Sequence, residues 1–266
     1  MLTLYGDYVR HRGGEIGIGS LIVLLSNFGL SDQAIRSAVS RMCHQHILKV
    51  RRNGSKSYYS LTREGLELMQ KGERRIFQRG ENKWDRLWSI VVYFIPEEKR
   101  EARDRFRQEL GWIGYGPLTI ATWASPHDLT REVEEIVKKL GIKEYVRIFQ
   151  SRQLDGSDAR SMLRRCWDLK RIHNKYASFI EAHRPRLDAH LERLKAGESI
   201  EPSECFVERF KLIDEYRRLP YFDPDLPEEL LPPDWLRAQA QKLFDEYHGL
   251  LTGKANEYFD SVLKAY

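Results

Sequence analysis

The chain is short of the residues that most often do chemistry or cross membranes. It has 3 cysteines in 266 residues, Cys43, Cys166 and Cys205, odd in number and far apart. That excludes a disulfide scaffold and leaves no CxxC pair for a metal. Free or buried thiols in a reducing cytoplasm are expected. No apolar run approaches the roughly 18 residues needed to span a bilayer, so no membrane partner is expected. Met1-Leu2-Thr3-Leu4-Tyr5-Gly6-Asp7 lacks a basic stretch and is interrupted by Gly6 and Asp7, so it does not read as a signal peptide. No Ser-His-Asp or Cys-His arrangement and no glycine-rich phosphate loop occurs, so an active site is not indicated. The 8 histidines are scattered. His44 and His46 sit two apart at a helix end, a spacing that does not face one ligand. There is no internal repeat and no low-complexity tract.

What is present is basic and unevenly placed. Hydrophobic residues make up 41% and charged residues 31%, enough for real cores in two or three domains. Residues 1–78 hold 12 Lys and Arg against 6 Asp and Glu, a net of +6. The whole chain carries +5, so the other 188 residues are near −1. A positive field is therefore concentrated at one end, where phosphates would be met.

That end has a specific order of elements. Leu21, Leu24 and Leu25 mark an apolar helix over about 20–27, and Gly29 supplies a break. Ser31 is an N-cap with Asp32 in the first turn. Ile35, Ala38, Val39 and Met42 fall at i, i+3, i+4 and i+7, one apolar stripe. The opposite face carries Gln33, Arg36, Ser37, Ser40, Arg41 and His44, donor types that reach base edges or phosphate. A hairpin follows over 48–61, with Asn53-Gly54 suited to a type I′ turn. Leu48, Val50, Tyr59 and Leu61 are expected to point inward. Arg51, Arg52, Lys56 and Ser57 cluster at the tip. Thr62 caps a helix through Leu66, Met69 and Phe77. Helix, recognition helix and basic hairpin in that order describe a winged helix-turn-helix, expected over 1–80.

From Trp84 the pattern changes. Residues 87–95 are β-prone and end at Pro96. A helix over 97–112, a strand over 118–124, a helix over 129–140 and a strand over 145–149 complete a β-α-β(β)-α-β order. That order implies a small ferredoxin-like domain over 84–155. Such sheets often pair across a two-fold axis, so a homodimer is expected. The strand Val91-Val92-Tyr93-Phe94-Ile95-Pro96 resembles the first strand of Cas2 nucleases, whose strand-end Asp binds metal. The matching position here is Phe94, which cannot hold a hard cation. Glu97 and Glu98 sit at a helix start, where acids are favoured anyway. A metal-dependent nuclease is thus disfavoured.

Residues 156–266 read as an all-helical domain, with Pro185 interrupting one helix, Pro202-Ser203 starting another and Asp234-Trp235 capping a last one. Tyr216, Arg217, Arg218, Tyr221 and Phe222 form an aromatic and basic cluster that suits an anionic aromatic ligand. The same residues also fit a packed helix-loop-helix corner, with the arginines paired to Asp223 or Asp225. The fold class expected for the whole chain is α+β, mostly α.

The sequence resembles the PaaX family of bacterial transcriptional repressors across its length. The resemblance begins at Leu2-Thr3-Leu4-Tyr5-Gly6-Asp7-Tyr8-Val9 and Gly13-Gly14-Glu15. It runs through Ala34-Ile35-Arg36-Ser37-Ala38-Val39-Ser40-Arg41-Met42 and Ser57-Tyr58-Tyr59-Ser60-Leu61-Thr62. It returns at Trp167-Asp168-Leu169, Glu215-Tyr216-Arg217-Arg218, Asp223-Pro224-Asp225-Leu226-Pro227 and Pro233-Asp234-Trp235. The resemblance implies a cytoplasmic dimeric repressor of phenylacetate catabolic genes on a palindromic double-stranded promoter site, with a Cas2-like middle domain. It implies no cofactor and an effector, phenylacetyl-coenzyme A, that releases the protein from DNA. A regulator answering to another acyl-coenzyme A or an aromatic acid remains an alternative.

Overall fold

The computed structural model describes residues 1–77, 84–153 and 158–266, apart from the side chains of 71–77 and Tyr221. The N-terminal elements follow the apolar spacing closely. α1 (Leu2–Asp7) and the turn after it bury Leu4, Tyr5, Tyr8 and Val9. β1 (Glu15–Gly17), too short to show a period, leads into α2 (Ile18–Ser26), which turns Leu21, Leu24 and Leu25 inward. Gly29 takes φ +74, a left-handed conformation that ends the turn. α3 (Asp32–His44) buries Ile35 and Val39. β2 (Leu48–Asn53) and β3 (Lys56–Leu61) then pair in the expected hairpin. β3 also takes β1 on its other side, giving the order β1-β3-β2. The Thr62 hydroxyl accepts the Gly65 amide at 3.0 Å and caps α4 (Arg63–Phe77). Met69 is buried and Leu66 is exposed on that helix.

Two details of the hairpin differ from expectation. Asn53 pairs with Lys56, so the turn is centred on Gly54-Ser55 rather than Asn53-Gly54. Gly54 alone has positive φ, +59, which is the pattern of a type II′ turn, not type I′. Val50 is 49% exposed although Leu48 and Leu61 on the same face are buried. β2 is an edge strand, and the cover over that face stops between Leu48 and Val50.

The middle of the chain builds one antiparallel sheet. β4 (Trp88–Tyr93), α5 (Arg100–Ile113), β5 (Gly116–Pro117), β6 (Thr122–Ser125), α6 (Thr130–Leu140) and β7 (Val146–Ser151) give the strand order β5-β6-β4-β7. Every neighbouring pair is antiparallel, as in the ferredoxin-like arrangement expected. One face carries Val91, Tyr93 and Ile95 against Phe106, Leu110, Val133 and Val137 of α5 and α6. The other face packs Trp88 and Ala124 against Leu163 and Cys166 of α7 (Ala159–Cys166) and against Leu226, Leu230 and Leu231. Gly116 is where α7 comes closest. A Cβ there would lie 2.7 Å from the Cys166 carbonyl oxygen and 2.7 Å from the Trp167 ring.

The remaining helices are α8 (Leu169–Lys195), α9 (Pro202–Tyr216) and α10 (Arg237–Ala265). Pro185 does not interrupt α8, contrary to expectation. An internal proline costs about 3 kcal/mol, and here Phe179 and His183 before it and Leu187 after it are all buried, which offsets that cost. α10 starts at Arg237, not at Asp234-Trp235, because Arg237 is drawn to Asp223 and Asp225. Among the described residues no helix is long and apolar enough to cross a membrane.

Two compact units result. Residues 1–78, 178–218 and 238–266 form the first, and residues 79–177 and 219–237 the second. Of the residues from 158 onward, 178–218 and 238–266 lie in the first unit and 158–177 and 219–237 in the second. In the first unit Tyr8 stacks on Phe259 at 4.9 Å and leans on Phe206 at 5.3 Å. Phe28 meets Phe210 at 4.6 Å and Phe206 at 6.0 Å. The buried Arg209 pairs with Asp7, donates to Thr252 Oγ1 at 3.2 Å and lies over the Tyr8 ring at 4.7 Å.

Gly116→Ala is expected to destabilise the second unit by about 1–3 kcal/mol, because backbone of α7 must move to admit one methyl group. Urea unfolding followed by tryptophan fluorescence reads it. An unchanged midpoint would show that α7 is not seated as described.

Candidate nucleic-acid interface

The exposed face of α3 is set by how the helix is held from beneath. Leu21, Leu24 and Leu25 of α2 and the buried Ile35 and Val39 fix its inner side. Ser31 Oγ accepts the Ala34 amide at 3.2 Å and closes its first turn. Helical spacing then sends Gln33, Arg36, Ser37, Ser40, Arg41 and His44 outward, and all six are exposed. They form one stripe of donors on a helix whose other side is anchored.

Within the stripe the two arginines are in different states. Arg36 holds Asp32 one turn earlier, Nε to Oδ1 at 2.6 Å and Nη2 to Oδ2 at 3.4 Å. Both partners are more than half exposed, and such i,i+4 pairs contribute little, so a phosphate can displace Asp32 readily. Arg41 makes no ion pair among the described residues, and its guanidinium is available as it stands.

The hairpin shows the same division. Arg51 is tied to Glu15 of β1 through three contacts of 2.6 to 3.2 Å and lies over the Tyr58 ring at 4.9 Å. The hydrogen bonds from Arg51, with its charge, hold the Glu15 carboxyl below its ordinary range. Arg51 is thus partly a strut that fixes β2 to β1. Lys56 donates to the Tyr266 carbonyl at 3.0 Å. Arg52 is exposed and makes no ion pair among the described residues. Ser57 is half-buried across from it.

Lys49 was not singled out from sequence, yet it is exposed and makes no ion pair among the described residues. Its signal was the alternation with Arg51, which puts both on one face of β2. It lines, with Arg10 and Gly13, a cavity of about 390 Å³.

The residues of the second cluster are divided between the two units. Tyr216, Arg217 and Arg218 belong to the first unit, and Tyr221 and Phe222 to the second. Tyr216 stacks on Phe244 with ring centroids 4.0 Å apart. Arg217 and Arg218 both close on Asp214, at 2.5 Å each, and not on Asp223 or Asp225. Partial burial pulls the Asp214 carboxyl upward, but the two arginines outweigh it and hold it below its ordinary range. Asp223 and Asp225 are held instead by Arg237. Phe222 lies beneath Lys175 and Arg171 at 5.1 and 5.7 Å. The side chain of Tyr221 lies outside the described residues.

Phe94, at the position where Cas2 nucleases carry their metal ligand, is 84% exposed. Among the described residues no three His, Cys, Asp or Glu side chains gather as a metal ion requires. The three cysteines are free, and burial pushes the Cys166 thiol up to about 11, far from a reactive thiolate.

Comparison with known proteins matches three family models along the chain. Residues 1–65 match the PaaX-like protein model, 81–163 the PaaX protein central Cas2-like domain, and 167–261 the PaaX-like protein C-terminal domain. A curated relative, the transcriptional repressor PaaX of Escherichia coli (strain K12), is 33% identical over 244 residues. That alignment spans 91% of this chain and 76% of the relative. Among solved structures, the uncharacterized protein Rv0674 from Mycobacterium tuberculosis has the same fold, with a TM-score of 0.60 and 20% identity. The match covers 98% of this chain and 96% of that one.

Ser31→Ala removes the side-chain cap of α3 and is expected to cost about 1 kcal/mol. Hydrogen exchange at the Ala34 and Ile35 amides reads the fraying directly. Protection equal to wild type would mean that Ser31 does not hold the first turn.

Proposed function

This chain belongs to the PaaX family, and we propose that it is a DNA-binding transcriptional repressor that reads DNA with the exposed face of α3. The observation that carries this is the outward donor stripe of α3, with Arg41 unpaired, in a segment of net charge +6. The major groove is about 12 Å wide and admits one helix, and arginine to guanine is the commonest specific contact there. In this reading α2, α3 and the β2–β3 hairpin are a winged helix-turn-helix. Arg36, Ser37, Ser40 and Arg41, flanked by Gln33 and His44, read or position bases. Arg51, Arg52, Lys56 and Ser57 hold the phosphates beside the groove, which fixes register without reading sequence.

A homodimer on a palindromic promoter site follows from the same reading, with recognition helices roughly 34 Å apart. The effector is an acyl-coenzyme A, with phenylacetyl-coenzyme A first in line, and the repressed genes are those of phenylacetate catabolism. The family name of the curated relative and the motifs at 215–218 and 223–227 support this choice. To release the protein nearly completely, the effector must bind the non-binding state about 10⁴-fold more tightly than the DNA-binding state. No enzymatic step is assigned.

Fluorescence anisotropy of the whole protein on its own upstream DNA tests the reading. Tight binding abolished by phenylacetyl-coenzyme A but not by free phenylacetate is the expected result. Tight binding indifferent to both would retain the repressor and remove this effector in favour of another thioester or aromatic acid. Binding no tighter to upstream DNA than to scrambled DNA would overturn the reading as a whole. Arg41→Ala should lose about 1–3 kcal/mol of preference for operator over scrambled DNA. Lys56→Ala should weaken both alike and lower the salt slope by about 1. If Arg41→Ala stays as selective as wild type, α3 is not the reading element.

A further inference from the structure

We propose that the second unit carries a binding site for a small organic anion with a ring-sized apolar body, seated between α7 and the end of the sheet where β4 pairs with β7. The cavity there is about 410 Å³, within the range of roughly 300–1,000 Å³ typical of small-molecule sites. Trp88 and Ile90 of β4 supply its floor, with Leu118 and Met162 beside them. Trp88 is buried and the other three are half-buried. Arg152, just past β7, and Arg165 of α7 stand at the rim. Both are exposed, and neither makes an ion pair among the described residues.

The chemistry of this lining is one-sided. Among the described residues no carboxylate lines the cavity, whereas Arg36, Arg51, Arg217, Arg218 and Arg237 elsewhere all have an acid. Two unpaired guanidinium forks over an apolar floor favour a planar carboxylate or a phosphate, which each can bind through two parallel hydrogen bonds. The tryptophan, isoleucine, leucine and methionine side chains favour an aromatic ring or a branched chain of similar size. A cationic ligand would meet repulsion from the two arginines and no acid among the described lining. A metal ion would find no carboxylate, histidine or cysteine among these residues. The helical spacing of α7 explains the arrangement. Ser161, Met162 and Arg165 lie on one face, so packing Leu163 and Cys166 into the core turns these three toward the cavity mouth. The site is argued from the second unit alone and does not depend on how the protein reads DNA.

Ligand-observed NMR titration of the full chain without DNA tests it, with benzoate and phenyl phosphate as probes. Acetate serves as an anion without a ring and phenethylamine as a ring with the opposite charge. At least one aryl anion should bind with Kd near or below about 1 mM, and the controls at least about tenfold more weakly. Benzoate ahead of phenyl phosphate would point to a carboxylate ligand, and the reverse order to a phosphate ester. The double variant Arg152→Gln/Arg165→Gln should weaken the preferred probe about tenfold or more. Ser161→Trp, an exposed position, fills the mouth and should remove binding. Arg63→Gln, an exposed position of α4 in the first unit, should leave it unchanged. Absence of binding by either aryl anion overturns the proposal, as does phenethylamine binding equally well. So does full affinity in both the arginine and the Ser161→Trp variants, provided their unfolding midpoints match wild type.

Discussion

The first unit depends on one charged side chain held inside an aromatic cluster. Arg209 is 4% exposed, lies on the face of Tyr8 and pairs with Asp7 of α1. Around it Tyr8 stacks on Phe259 and leans on Phe206, and Arg12 pairs with Asp260. A buried ion pair contributes little net stability, but removing one partner leaves an uncompensated charge and costs about 3–5 kcal/mol. The arrangement therefore specifies which helices meet more than it strengthens the fold. It ties α1 to α9 and α10, although about 200 residues of sequence separate them.

The same junction reaches the α2–α3 turn. Phe28 stands one residue before the Gly29 break and packs on Phe206 and Phe210 of α9. Asn27 Nδ2 donates to the Tyr258 hydroxyl of α10 at 3.0 Å. The turn that aims α3 is thus positioned by helices from the far end of the chain as well as by its own residues. A change in the packing of α9 acts on the entry to α3 with no intervening flexible linker. The surface that meets solvent is built differently. Arg36–Asp32 and Arg51–Glu15 are exposed pairs, easily exchanged for phosphate oxygens, while Arg41 and Arg52 need no exchange. Close packing below and exchangeable charge above is a division of labour that suits binding a polyanion.

What was legible in the sequence was local. The Ser31 cap, the α3 stripe, the Thr62 cap and the order of strands and helices in the second unit each arise from residues within a few positions of one another. What was not legible depended on partners far away in sequence. The three residues of β1 have no period and exist because β3 offers them an edge. The hairpin turn slipped by one residue because cross-strand pairing, not the Asn-Gly dipeptide, sets its register. Pro185 stays inside a helix because buried neighbours on both sides outweigh its local preference. Asp223 and Asp225 were as open to Arg217 and Arg218 in the sequence, but Asp214 lies only three and four residues back and takes both. The division into two units was least visible of all, since it pairs residues 1–78 with helices beyond 178.

That division bears on how a ligand could govern DNA binding. A ligand shifts an equilibrium only by its difference in affinity between the two states. An α2–α3 segment that folded alone would give a ligand elsewhere no contact to change. Here the first unit includes α9 and α10, and the Phe28, Asn27 and Tyr8 contacts make their packing a condition of the geometry of α3. A displacement of α9 by a fraction of a ring radius must either break the Phe28 ring contacts or move the turn. Well-packed interiors resist the first, because a lost aromatic contact leaves a void costing several kcal/mol. Movement of the turn is the cheaper response. α3 is then re-aimed while its own cap and apolar stripe stay intact.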